Sequence, residues 1–240
     1  MMQWLDLTLD SPAENLALDE ALLDVAEESG EPTECLRIWE SREPAVVIGR
    51  SSKVDVETRR DECARRGVPI LRRSSGGAAV VIGPGCLMYA VVLSYQRRPE
   101  LALLEEAHRF ILGRVAAGVR RVVPGVELQG TSDLAWQGRK FSGNSLRCKR
   151  SHLLYHGTIL YDFPVELVEQ LLGVPPRQPA YRRGRSHDQF VVNLPATAET
   201  LRQEIVAAWD APPARVAWPR QRVQQLVAER YSQASWNERL

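Results

Sequence analysis

The segment Arg72-Arg73-Ser74-Ser75-Gly76-Gly77-Ala78-Ala79-Val80-Val81 constrains the fold more than any other stretch of the chain. Two arginines lead into a run with almost no side-chain bulk, and strand-like residues stand on either side, Ile70–Arg73 before it and Val80–Ile82 after it. Glycine lets a ligand approach the backbone closely, and consecutive free N–H groups form an anion-binding concavity. Arginine supplies a planar, permanently charged donor for carboxylate or phosphate. Taken by itself, the run also reads as a Gly-rich hairpin turn with solvated arginines. It is not a Walker A loop, because no lysine follows a second glycine at the required spacing, and it is not a dinucleotide fingerprint.

The rest of the chain frames this segment with interspersed helices and strands. Ser11, Pro12 and Glu14 form a capping-box start for a helix that Gly30 closes, with Asp19 and Glu20 assigned to its polar side. Strands are expected at Cys35–Trp39, Ala45–Gly49, Cys86–Leu93, Val126–Leu128, Asp133–Trp136, Lys140–Ser142 and Tyr155–Tyr161. Helices are expected over Val54–Arg66, about 100–117, Pro164–Leu172, Ala198–Trp209 and Arg220–Tyr231. Without a strict βαβ rhythm, the hairpins predict an α+β fold: a mixed, largely antiparallel sheet with flanking helices. At 240 residues the chain has room for one catalytic domain, with a core over about 31–215 and a helical segment over about 216–240.

Composition excludes several classes. Hydrophobic residues make up 44% and charged residues 25%, ordinary for a globular protein. No apolar run approaches the roughly 20 residues that span a bilayer, and the start lacks the basic and apolar regions of a signal peptide. A net charge of +1 gives no bias toward nucleic acid or an anionic membrane, so neither is expected as a partner. Cys35, Cys63, Cys86 and Cys148 show no C-x-x-C or zinc spacing. Cys35 and Cys86 read as buried small hydrophobes. A reducing compartment follows, taken as cytoplasmic, with no disulfide framework. Lysine occurs only at positions 53, 140 and 149 of this arginine-rich chain.

One of those lysines lies in a second notable segment, Ser132-Asp133-Leu134-Ala135-Trp136-Gln137-Gly138-Arg139-Lys140-Phe141-Ser142-Gly143-Asn144. A lysine on a strand just after a turn, beside small residues, can project into a pocket as a fixed cation toward developing charge. Asp133 is placed to hold that lysine or Mg²⁺, and the plain alternative is an exposed hairpin with a solvated lysine. His156-Gly157-Thr158 opens an apolar strand, where a structural histidine is the simpler reading. Ser142, His156 and Asp133 do not make a convincing triad, because no G-x-S-x-G elbow is present. Cys148 lies among Arg147, Lys149 and Arg150 and reads as a free surface thiol, and Arg182, Arg183 and Arg185 form a local basic patch.

Together these segments resemble the lipoate–protein ligase A family, within the biotin/lipoate ligase superfamily. The resemblance runs from Asn15-Leu16-Ala17-Leu18-Asp19-Glu20-Ala21 through Leu36–Trp39 and Val46–Arg50 to the Arg72–Val81 loop. It continues with Asp133-Leu134, Gly138–Asn144 and His156–Leu160, and closes at Ser232, Ser235 and Trp236-Asn237. The resemblance implies a catalytic core related to biotin ligases and class II aminoacyl-tRNA synthetases. It implies two steps: lipoate and ATP give lipoyl-AMP, then a carrier lysine takes the acyl group. The implied partners are lipoyl-carrier domains of 2-oxoacid dehydrogenases or the glycine-cleavage H protein. By the same resemblance Lys140 is catalytic. Arg72, Arg73, Ser75, Gly76, Gly77, Ala78, Ala79, Val80, Val81, Asp133, Ser142, Gly143, His156, Gly157 and Thr158 contact substrate or nucleotide, with Asp133 also a candidate Mg²⁺ ligand.

Three departures from the family pattern bear on these expectations. Ala78 replaces a third glycine, Ile82-Gly83-Pro84-Gly85 replaces a His-Asp element, and the sequence stops where some relatives continue into a C-terminal accessory domain. The last leaves three expectations: self-sufficient activation, a separate accessory protein, or transfer only. The same fold hosts octanoyl- and lipoyl-transferases that use a cysteine in the loop before the lysine; here that loop, Gln129–Asp133, has none, and Cys148 is the remaining candidate. A biotin ligase would carry a G-R-G-R-x-R-x-W loop, which is absent, and an intact Lys140 argues against a non-catalytic carrier-binding paralogue.

Overall fold

A computed structural model describes residues 2–212 and 217–240. The expected boundary between core and C-terminal segment, at 215/216, lies outside the described residues.

The strands are β1 (Gln3–Asp6), β2 (Cys35–Glu40), β3 (Ala45–Ile48), β4 (Ile70–Arg72), β5 (Val80–Ile82), β6 (Cys86–Ser94), β7 (Val126–Gln129), β8 (Asp133–Trp136), β9 (Arg139–Cys148) and β10 (His152–Leu160). The main helices are α1 (Pro12–Ser29), α2 (Val54–Glu57), α3 (Arg60–Arg65), α4 (Leu104–Val122), α5 (Glu166–Leu171), α6 (His187–Phe190), α7 (Ala198–Ala208), α8 (Arg220–Leu226) and α9 (Ala234–Asn237).

Seven strands form one sheet in the order β1-β2-β6-β10-β9-β8-β7. Only β1 and β2 run parallel; the other pairs are antiparallel. A small sheet, β4-β3-β5, carries the Gly-rich loop between β4 and β5. The expected largely antiparallel sheet with flanking helices is therefore present.

Alternation along β6 builds both faces of the large sheet. Leu87, Tyr89, Val91 and Leu93 pack with Ile111 and Val115 of α4 and with Leu201 and Ile205 of α7. Cys86 and Met88 point the other way, into a core with Leu16 of α1 and with Val46, Ile48 and Val81 of the small sheet. All nine residues of β6 and all nine of β10 are buried, so both faces of the central strands are covered.

Helix α1 starts as expected. Ser11 Oγ accepts from the Glu14 N–H at 3.2 Å, and Glu14 Oε2 accepts from the Ser11 N–H at 3.0 Å. Its acidic side is not solvated, however. Asp19 and Glu20 are each 1% exposed. The fully buried Arg37 of β2 donates to Asp19 Oδ1 at 2.5 Å, while Tyr231 O–H donates to Glu20 at 2.7 Å and Arg230 also pairs with Glu20. The charges are buried because partners from β2 and the C-terminal turns come with them.

Other expectations also need correction. The single helix over Val54–Arg66 is broken into α2 and α3, because Thr58 turns extended, bridges Leu172, and lets the Arg59 N–H reach Leu171 O at 2.8 Å. β1 adds a strand at the N-terminus beyond those expected, and the two short strands around Lys140 and Tyr155 belong to a long hairpin, β9–β10. Cys86 is buried as expected, but Cys35 is only half-buried. Arg182 does not join a solvated patch; it is buried with its guanidinium over the Phe190 ring. No helix among the described residues is long and apolar enough to cross a membrane.

Candidate active site

A cavity of about 870 Å³ opens between the Gly-rich loop and the face of β9 and β10 that looks toward α1. On its wall lie Arg73, Gly76, Gly77, Ala78, Ala79, Val80, Asp133, Lys140, Gly143, His156, Gly157 and Thr158. Two segments about sixty residues apart, each ambiguous alone, thus meet around one space.

Register decides that Lys140 enters it. Gly143 and Ser145 line the cavity, so strict alternation would put Phe141 beside them. A bulge intervenes: Leu134 pairs with Ser142, but Ala135 pairs with Lys140. The extra residue reverses the order of faces. Phe141 goes to the buried core behind the sheet and Lys140 to the cavity. There Lys140 Nζ lies 2.6 Å from Asp133 Oδ1, and Tyr181 O–H donates to Asp133 Oδ2 at 2.9 Å. Burial, with Asp133 alongside, pushes the Tyr181 phenol well above its ordinary range, so it remains a donor. Gly143 leaves room for the lysine, since a Cβ there would stand 2.9 Å from both Cε and Nζ.

The Gly-rich loop is held from within by Arg73, only 6% exposed. Its guanidinium donates to Val47 O at 3.0 Å, to Gly76 O, and to Ala78 O at 2.9 Å. Burial lowers its pKa to about 10, still charged at neutral pH. Gly77 sits at φ +85°, and a Cβ there would approach Arg73 Nη2 to 2.9 Å. Arg73 therefore organises the loop more than it reaches into the cavity. The loop's N–H groups are not all free either: that of Ala79 donates to Glu57 Oε2 at 2.7 Å.

Arg72, Ser75, Val81 and Ser142 are not on the wall, which corrects the expectation of direct contact for them. Arg72 is fully buried. It donates to Gly49 O at 2.9 Å, Ser52 O at 2.8 Å and Trp236 O at 3.1 Å, while its own N–H donates to Asn237 Oδ1 at 2.9 Å. It clasps α9 to β4. Val81 packs in the core, Ser142 Oγ accepts from Asn144 Nδ2 at 3.0 Å, and Ser75 lies just behind Ser145 and His156.

Several wall residues were not among the expected contacts. Leu16, Val47, Val56 and Met88 give the cavity an apolar stretch, and Lys53, Glu57 and the loop 176–179 complete it. No group of three or more His, Cys, Asp or Glu side chains fit to hold a metal exists among the described residues. None of the four cysteines lines the cavity, and Cys148 is exposed at the far end of β9.

The cavity sets an apolar stretch beside a lysine–aspartate pair and a glycine-rich backbone loop. The chain belongs to the lipoyl protein ligase A/B catalytic-domain family, whose pattern matches residues 11–209. It is an enzyme of the lipoate ligase/octanoyltransferase family. It is 27% identical over 183 residues to a probable lipoate-protein ligase A of Mycoplasma pneumoniae, covering 76% of this chain and 52% of that protein. The chain thus spans about half the length of that relative. It is 26% identical over 262 residues to the octanoyltransferase LipM of Geobacillus kaustophilus, covering 94% of each. Among solved structures, the archaeal bi-partite lipoate protein ligase of Thermoplasma acidophilum matches with a TM-score of 0.80 at 18% identity, over 99% of this chain and 95% of that one. A Thermoplasma acidophilum protein with bound lipoic acid matches at 0.78 and 20% identity, over the whole of both chains. A lipoate-protein ligase A bound with ATP matches at 0.77 and 19%, over 99% of this chain and 97% of that one. The fold is that of the lipoate ligases.

Proposed function

We propose that this chain joins lipoate, through lipoyl-AMP, to a lysine of a lipoyl-carrier domain or H protein. The observation that carries this reading is Lys140, placed by the bulge beside Asp133 and opposite the Gly-rich loop in one cavity. A compact ammonium held there stabilises charge on the carboxylate and α-phosphate oxygens as they exchange, and again as AMP departs. Asp133 and Tyr181 fix its position. Leu16, Val47, Val56 and Met88 offer apolar surface to the acyl chain, each buried methylene contributing about 0.8 kcal/mol. Of the proposed contacts, Gly76, Gly77, Ala78, Ala79 and Val80 present loop backbone to the nucleotide, and Gly143, Gly157 and Thr158 form the opposite wall. A nucleotide-borne Mg²⁺ would find a single wall carboxylate near Lys140, Asp133; that fits an ion that keeps most of its ligands as water and phosphate.

The second reading is acyl transfer from an octanoyl-carrier protein without ATP, favoured by the end-to-end match to the octanoyltransferase. The absence of a cysteine from the cavity wall supports the ligase instead. The test is the intact mass of a lipoyl domain incubated with this protein, lipoate and Mg²⁺, with and without ATP. An ATP-dependent gain of one lipoyl group supports a self-sufficient ligase. A gain only from premade lipoyl-AMP points to a separate activating protein, as the bi-partite Thermoplasma enzyme suggests. A gain only from octanoyl-carrier protein, abolished by Cys148→Ser, overturns the ligase reading.

A further inference from the structure

From Ser145 and His156 on the cavity wall, a chain of polar groups that the proposed chemistry above leaves unused runs inward through Ser75 and Asp19. His156 Nε2 is 2.5 Å from Ser75 Oγ, and Ser75 Oγ is 2.8 Å from Ser145 Oγ. On its other side, His156 Nδ1 faces Asp19 Oδ2 at 3.5 Å, and neither atom has another partner. Asp19 is fixed by Arg37, and both are buried.

The direction of this chain follows from donor arithmetic. The Asp19 carboxylate only accepts, so the Nδ1 facing it carries the proton and Nε2 holds the lone pair. Ser75 O–H must then donate to Nε2. Arg73 Nε already donates to Ser75 Oγ at 3.1 Å. Ser145 therefore gives its proton to Ser75 and keeps its own lone pairs for the cavity, which it lines. Other charges near His156 are committed elsewhere: Lys140 to Asp133, Glu57 to the Ala79 N–H, and Arg147 to Glu20.

We infer that His156, oriented by Asp19, is the general base for acyl transfer, reached from the cavity through the hydroxyls of Ser145 and Ser75. This rests on the ligase reading above. A carrier lysine arrives as an ammonium and cannot attack until it loses a proton. That proton passes to Ser145 as the Ser145 proton moves to Ser75 and the Ser75 proton to His156 Nε2. The freed nitrogen lone pair forms the C–N bond to the acyl carbon. The acyl C–O bond breaks with its electron pair on the phosphate oxygen of AMP, and the second amine proton leaves to solvent. His156 later returns its proton along the same path.

The experiment is single-turnover transfer from saturating premade lipoyl-AMP to a lipoyl domain, followed by intact mass from pH 6 to 10 on wild type, His156→Gln and Ser145→Ala. The expected wild-type rate rises and then levels off. His156→Gln falls roughly 10²-fold at neutral pH but keeps rising toward the pH, about 10, at which a lysine amine deprotonates unaided. Ser145→Ala, which leaves the His156–Asp19 contact in place, behaves the same way with a loss of about tenfold or more. Variant profiles parallel to the wild type would mean a structural role and overturn the inference, as would a Ser145→Ala enzyme equal to wild type throughout. Should His156→Gln not fold, Ser145→Ala alone decides. Failure of the wild type itself to use lipoyl-AMP overturns the ligase reading and this inference with it; wild-type transfer with unaltered profiles overturns this inference alone.

Discussion

The ammonium of Lys140 lies against the bare α-carbon of Gly143, so closely that a methyl group there would stand 2.9 Å from both Cε and Nζ. Lys140→Ala is expected to lower lipoyl-domain modification at least a hundredfold, the usual cost of removing one preorganised charge donor, about 3–4 kcal/mol of transition-state stabilisation. Lys140→Arg should fail to restore it, because a planar guanidinium is wider than the gap. Gly143→Ala should reduce the rate while leaving the fold intact. Mass spectrometry of the acceptor and thermal melting of each variant check all three; an active Lys140→Arg enzyme would contradict the packing argument.

Arg72 is expected to matter for stability and not for nucleotide affinity. Its guanidinium serves buried carbonyls of Gly49, Ser52 and Trp236. Arg72→Ala leaves these without a donor, at about 1–3 kcal/mol for each buried group. Urea unfolding should show a loss of at least about 3 kcal/mol. A variant of wild-type stability with weakened ATP binding would restore the direct role that the loop motif implies.

Tyr181 connects the loop over 176–179 to the lysine through Asp133. Tyr181→Phe keeps the ring packed on Phe190, with centroids 5.0 Å apart, and deletes only the hydroxyl. The expected outcome is a fall in kcat of about tenfold, matching a lost hydrogen bond to a charged group worth about 1.5–3 kcal/mol, with a melting temperature within a few degrees of wild type. Equal losses in stability and rate would assign Tyr181 to the scaffold alone.

Acidification is expected to weaken the fold in two stages. Burial pushes the pKa values of His108 and His187 below the ordinary 6.5. The unfolded chain then binds protons more readily than the folded one, so stability is complete above about 6.5 and declines as pH falls through the lowered values. Glu169, held below 4.5 chiefly by the His187 N–H, adds a second decline at lower pH. Melting temperature should fall between pH 7 and 5, and His108→Gln should flatten that slope. A flat profile for the wild type would contradict it.

The sequence made the two chemical segments legible because they are local patterns: a bulk-free run after two arginines, and a lysine after a turn. The α1 cap was legible for the same reason. What joined them was not. Asp19 reads as a solvated helix residue, since nothing near it in sequence announces Arg37 from β2 or His156 from β10. Arg72 and Arg73 look equivalent on paper, yet alternation sends one toward α9 and the other under the loop. The split between α2 and α3 depends on a bridge from Thr58 to Leu172, more than a hundred residues away. Glu57 and Tyr181 enter the site from elements whose own sequence shows no chemical pattern.

The bulge in β9 has a consequence for how the proposed activity can be lost. Lys140 and Phe141 are neighbours in the chain but occupy opposite compartments, and a single unpaired residue decides which is which. Without it, the same amino acids would present an inert ring to the cavity and thrust an ammonium into a dry interior. The reagent is thus encoded as parity as well as identity. A one-residue insertion or deletion between Trp136 and Gly143 would change none of the residues on the opposite wall, yet would exchange the cavity's ammonium for an aromatic plug.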